Sequence, residues 1–117
     1  GMNSSQVDYI NLHGTATKSN DAAEGMAVAK LFGATVACSS TKGHTGHALG
    51  AAGIVEVAVC ALAMEHGITP GGVNTREVDP SIAINYQLKN SSHAPLIVLS
   101  NSFGFGGSNC SLVLVKQ

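Results

Sequence analysis

Short apolar runs separated by small and polar stretches set the outline of the chain. Val7–Leu12 (VDYINL) is rich in strand formers and predicts a first strand. It runs into His13-Gly14-Thr15-Ala16-Thr17, whose small residues predict a loop. Asp21-Ala-Ala-Glu24 has the spacing of a capping box, and the apolar positions Met26, Val28, Leu31 and Phe32 predict a helix that Gly33 stops. Thr35–Ser39 reads as a second, buried strand, followed by a polar loop over 41–47. Between Ala48 and Met64 only Glu56 is charged in 17 positions. That run is too long and alanine-rich for a strand, and predicts a helix over about His47–His66. Pro95–Ser100 and Cys110–Val115 predict two strands flanking a glycine-rich loop over 101–109, a hairpin whose tip has a function. The order β-α-β-α-β-β is that of an α/β domain over 7–117. Gly1 ahead of Met2 reads as a cloning remnant, and residues 1–6 as a loose terminus.

Composition sharpens one point. Apolar residues make up 44% of the 117 residues, and charged residues only 11%. Soluble domains average about 25% charged, so this chain is short of charge for a free-standing surface. A helix apolar on nearly every face needs cover all round, and 117 residues hardly supply it. A membrane span is a poor alternative, because the run carries Glu56 and has Gly46, Gly50 and Gly53 about its start. A net charge of −1 excludes a nucleic-acid partner or an anionic membrane surface as the obvious reading. Cys38, Cys60 and Cys110 form no CxxC pair, and an odd count with no leader segment fits a reducing, cytoplasmic setting.

Chemistry concentrates in the loops after the strands. His13 and His47 each lie beside glycine and threonine in such a loop, with Lys42 between them in sequence. Those loops are where α/β proteins place ligands. A lone histidine is more often structural, but two in matching contexts point to a site. His44-x-x-His47 lacks a nearby cysteine or carboxylate to complete a zinc set, so no metal is expected. The glycines of 43–50 match neither the phosphate-loop pattern nor the dinucleotide fingerprint.

Taken together, the motifs resemble the C-terminal half of the β-ketoacyl-acyl carrier protein synthases. They are His13-Gly-Thr-Ala-Thr17, Asn20-Asp21-x-x-Glu24, Ser40-Thr-Lys42 with Gly46-His47-x-x-Gly50-Ala-Ala-Gly53, and Asn101-Ser-Phe-Gly-Phe-Gly-Gly-Ser-Asn109. The resemblance runs from Val7 to Val115. It implies a thiolase-like fold, of which this is the C-terminal half: a mixed sheet with one nearly all-apolar buried helix that the other half covers. An isolated chain would then leave that helix face open.

The implied chemistry is decarboxylative condensation of a malonyl thioester with an acyl group, in fatty acid or polyketide synthesis. His13 and His47 match the family's histidine pair, and Lys42 its lysine, held in a polar network with Glu24. Thr15 and Thr17 match hydroxyls that contact the pantetheine arm, and Phe105 the gate of the acyl pocket. Phe103 is expected to pack beneath the loop, and Asn101 and Asn109 to serve loop structure. The family's nucleophilic cysteine belongs to the other half. Cys38 lies on the strand before Lys42 and is not its counterpart, and Cys60 and Cys110 read as small buried apolar residues. No cofactor is expected beyond the phosphopantetheine arm on the carrier. The expected partners are an acyl carrier protein bearing a malonyl or acyl thioester, and either a cysteine-bearing N-terminal half or a second copy of this chain. The rival reading is a non-catalytic subunit that completes a partner's fold.

Overall fold

The computed structural model describes all residues, Gly1–Gln117. Its strands are β1 (Tyr9–Asn11), β2 (Ala37–Ser39), β3 (Asn85–Tyr86), β4 (Ile97–Phe103) and β5 (Asn109–Val115). Its helices are α1 (Lys18–Phe32), α2 (Lys42–Thr45) and α3 (Ala52–His66). The sheet order is β3-β2-β1-β4-β5, parallel except for the antiparallel β4–β5 hairpin. This is the mixed sheet expected from the sequence.

Alternation along β1 builds both sides of the core. Ile10 and Leu12 face α1 with Val28, Val36, Cys38 and Leu99. Tyr9 faces α3 with Cys60, Met64 and Val98. Covered on both faces, β1 is buried at all three of its residues, the polar Asn11 included.

Several boundaries differ from expectation for local reasons. Helix α1 starts at Lys18 with Thr17 as N-cap, so Asp21 and Glu24 are not its capping box. Its buried residues are Glu24, Gly25 and Val28, and Met26 and Leu31 are left exposed. Part of the 41–47 loop is the single turn α2. Before α3, a 3-10 turn over Leu49–Ala51 takes up the first of the expected helical residues. At its other end Gly67 adopts a left-handed conformation (φ 68°) and stops α3 as a C-cap. The hairpin strands extend to Phe103 and Asn109, so the tip loop shrinks to five residues, Gly104–Ser108. Within residues 1–6, Ser4–Gln6 forms a largely exposed 3-10 turn in which the Asn3 N–H donates to Gln6 Oε1 at 2.8 Å.

Helix α3 is buried along one stripe only, Ala52, Glu56, Cys60, Ala63 and Met64, a spacing of about one turn. Ile54 and Leu62 stand open on the opposite side. The uncovered helix face is therefore present, as expected for this chain alone. Leu49–His66 is apolar and long enough to cross a membrane, yet its buried stripe packs on the sheet and carries Glu56, which is paired with Lys42.

Candidate functional site

Strands β1, β2 and β4 run parallel, so their C-terminal ends share one edge of the sheet. There β1 delivers His13, β2 delivers Ser40-Thr41-Lys42, and β4 delivers Phe103. The chain passes from β1 to β2 on one side and returns with β4 on the other. Such switch points form crevices outside the carboxyl ends of the strands.

The His13 and His47 rings meet edge to face there, with centroids 5.6 Å apart and planes at 84°. The Phe103 ring lies against His13 at 5.7 Å. His13 is buried, and its Nδ1 has no hydrogen-bond partner. Burial first, then the Lys42 ammonium, holds its imidazolium form below the usual range. His47 is exposed, and the Leu49 N–H donates to its Nδ1 at 3.2 Å. In the neutral ring this bond leaves the proton on Nε2, as a donor. The two rings thus lie together at the strand ends.

Backbone strain accompanies this arrangement. Leu49 has φ 51° and Ala16, in the loop after His13, has φ 60°. A residue other than glycine in that region costs of order 1 kcal/mol and persists where surrounding structure dictates it. Nothing in the sequence pattern marked Leu49.

Lys42 does not pair with Glu24. Its ammonium pairs with Glu56 on α3, and both side chains are buried. Ser102 Oγ donates to the other oxygen of Glu56 at 3.5 Å. Glu56 was the one charge in the apolar run, and that isolation was the available signal. A buried ammonium requires a carboxylate, and Glu56 on the inward stripe supplies it.

Glu24 has a different task. Its Oε1 accepts from His13 N–H at 2.8 Å and Asn101 Nδ2 at 3.2 Å. Its Oε2 accepts from Gly14 N–H at 2.9 Å. It grips the backbone of the histidine loop. Asn101 belongs to β4 rather than to a loop, and Ser111 Oγ donates to its Oδ1 at 2.7 Å.

The substrate-contact candidates lie further out. Thr15 and Thr17 face each other with hydroxyl oxygens 2.9 Å apart at the surface. Phe105 is fully exposed at the hairpin tip, beside Gly106 and Gly107 at φ 76° and 82°. His44 is turned away, its Nε2 3.3 Å from the Gly71 carbonyl oxygen.

Among the thiols, burial pushes Cys38 up to about 12 and Cys60 up to about 11. Neither is poised as a thiolate. Cys110 is exposed rather than buried, because β5 is uncovered on both faces along nearly its whole length.

Residues 1–76 match the family described as Beta-ketoacyl synthase, C-terminal domain. The chain is 42% identical over 123 residues to the mitochondrial 3-oxoacyl-[acyl-carrier-protein] synthase of Arabidopsis thaliana, covering 99% of the chain and 27% of that protein. It is 42% identical over 112 residues to 3-oxoacyl-[acyl-carrier-protein] synthase 1 of Escherichia coli K12, covering 94% of the chain and 28% of that protein. Among solved structures, a ketosynthase from Xenorhabdus doucetiae in complex with its chain length factor superimposes with a TM-score of 0.93 at 42% identity. It is matched over 100% of this chain and 30% of that one. A β-ketoacyl synthase from Burkholderia phymatum gives 0.94 at 34% identity, over 99% of this chain and 29% of that one. The chain thus spans less than a third of the relatives it matches.

Proposed function

Since the chain belongs to the β-ketoacyl synthase family, as its C-terminal domain, we propose that it supplies the decarboxylating half of a condensing site. The single observation that carries this reading is the edge-to-face pair His13–His47 at the switch point of the sheet. A malonyl thioester oxygen placed between the two rings would accept a hydrogen bond from each neutral imidazole. As the bond between the α-carbon and the carboxylate breaks, carbon dioxide leaves and the electron pair moves onto the α-carbon and thioester oxygen. Donors aimed at that growing charge would stabilise the enolate, each worth roughly 100-fold or more in rate.

Lys42 acts through its field. After burial, it is the next cause that favours the neutral form of His13, with Glu56 opposing. Glu24 holds the His13–Gly14 backbone and touches no reacting atom. Thr15 and Thr17 would contact the pantetheine arm that brings the thioester, and Phe105 would gate the acyl pocket from the hairpin tip. The reading needs no metal or organic cofactor of the chain's own.

The acylated cysteine would come from a cysteine-bearing segment outside these residues, seated on the open face of α3, with an acyl carrier protein delivering the malonyl group. The generated enolate would attack the thioester on that cysteine, forming the new carbon–carbon bond and releasing the thiolate. The overall role is condensation in fatty acid or polyketide synthesis.

A chimera tests this. The corresponding segment of the E. coli synthase 1 is replaced by this chain. Condensing activity that is lost on His13→Ala or His47→Ala, while the cysteine still accepts its acyl group, is the expected result. A folded chimera whose condensation survives both substitutions would overturn it and leave the non-catalytic reading.

A further inference from the structure

The Ser40 hydroxyl joins two parts of the site that no other side chain connects in this way. It donates to the Gly14 carbonyl at 2.8 Å, and it accepts the Lys42 N–H at 3.3 Å. Ser40 is buried, and its bond to the Lys42 N–H is closed off from bulk water. Gly14 directly follows His13 and has φ 41°, and a Cβ at that position would overlap the Ser40 side chain. The two strand-end loops are therefore in close contact, with one hydroxyl between them. On the opposite side of the same turn, Glu24 holds the His13 and Gly14 N–H groups. Donors and acceptor of the turn are thus engaged from two different elements, α1 and the β2–α2 connection.

Resting on the functional reading above, we propose that Ser40 is a positioning residue. Its hydroxyl sets the His13 loop against the Lys42 turn and so fixes how the His13 ring meets His47. The half-buried Gly14 carbonyl loses its side-chain donor when the hydroxyl is removed, so the turn is free to shift about the Glu24 grip. Misplacement of about 1 Å at a reacting group is enough to cost up to about 100-fold.

The test uses the full chain with Ser40→Ala and Ser40→Thr, the second keeping a hydroxyl. Two readouts are independent. In NMR spectra, Ser40→Ala weakens the cross-peak between the His13 and His47 rings and speeds exchange of the Lys42 amide proton, while Ser40→Thr retains both. In malonyl-pantetheine decarboxylation, Ser40→Ala lowers kcat about 10-fold or more with KM little changed, and Ser40→Thr restores most of it. An unchanged ring cross-peak in folded Ser40→Ala overturns the proposal, whatever the activity. If Ser40→Ala does not fold, slow exchange of the Lys42 amide in the unsubstituted chain supports the clamp, and fast exchange refutes it. If the unsubstituted chain releases no carbon dioxide, the functional reading fails while the NMR result still decides Ser40.

Discussion

The Lys42 ammonium and the Glu56 carboxylate meet beneath the site, closed to solvent and brought together from two elements 14 residues apart. Neither charge has water to fall back on. Removing one partner leaves the other buried and alone, the costly case for ion pairs of this kind.

Glu56→Leu alone therefore lowers the unfolding free energy by about 3 kcal/mol. Joint replacement by Lys42→Met and Glu56→Leu recovers most of the loss, since no unpaired charge remains. Urea denaturation of the four species in a double-mutant cycle checks this. Additive losses would show that the pair is not coupled.

His13 titrates below the ordinary histidine value of 6.5, chiefly through burial, then through Lys42 and His47, with Glu56 and Asp21 opposing. Its neutral form is favoured on folding. The associated stability is fully present above the unfolded value near 6.5 and is lost as pH falls through the folded value. Proton NMR of the ring should show the depressed midpoint, and Lys42→Met should raise it. A midpoint at or above 6.5 would contradict the electrostatic role given to Lys42.

The three thiols separate by exposure. At pH 8, Cys38 and Cys60 remain protonated and covered, whereas Cys110 lies open on β5. Iodoacetamide on the folded chain labels Cys110 alone, read by peptide mass spectrometry. Rapid labelling of Cys38 would restore it as a nucleophile candidate.

Ile54 and Leu62 sit on the side of α3 that no part of the chain covers. In the absence of a covering segment they drive self-association, so light scattering at micromolar concentration gives a mass above 11.8 kDa. Glu at both positions returns the monomer mass and changes stability by less than about 0.5 kcal/mol. A monomer at all concentrations would show that this face is not sticky.

Much of this was legible in the sequence because local signals and tertiary demands agreed. The β1, α1 and β2 regions, the apolar helix and the hairpin all announced themselves by residue type. The His13–His47 pair was legible through motif order. Partner assignments were not, because they depend on which helix face turns inward. Asp21 and Glu24 have capping-box spacing, yet the helix begins at Lys18, and Glu24 faces the histidine loop. Glu56 looked like a flaw in an apolar helix until its stripe was seen to point at Lys42. Hydrogen bonds from Ser40 and Asn101, and the strained turn at Leu49, arise only when three strand ends meet, and no spacing records them.

Carbon dioxide release from a malonyl thioester tests the central claim most directly. The purified chain is given malonyl-loaded carrier protein or malonyl-pantetheine, alongside its His13→Ala and His47→Ala forms. The account predicts release above the uncatalysed background, reduced about 100-fold or more by either substitution. No release from the folded chain, or release that survives both substitutions, would contradict the assignment of His13 and His47 as the enolate-stabilising pair.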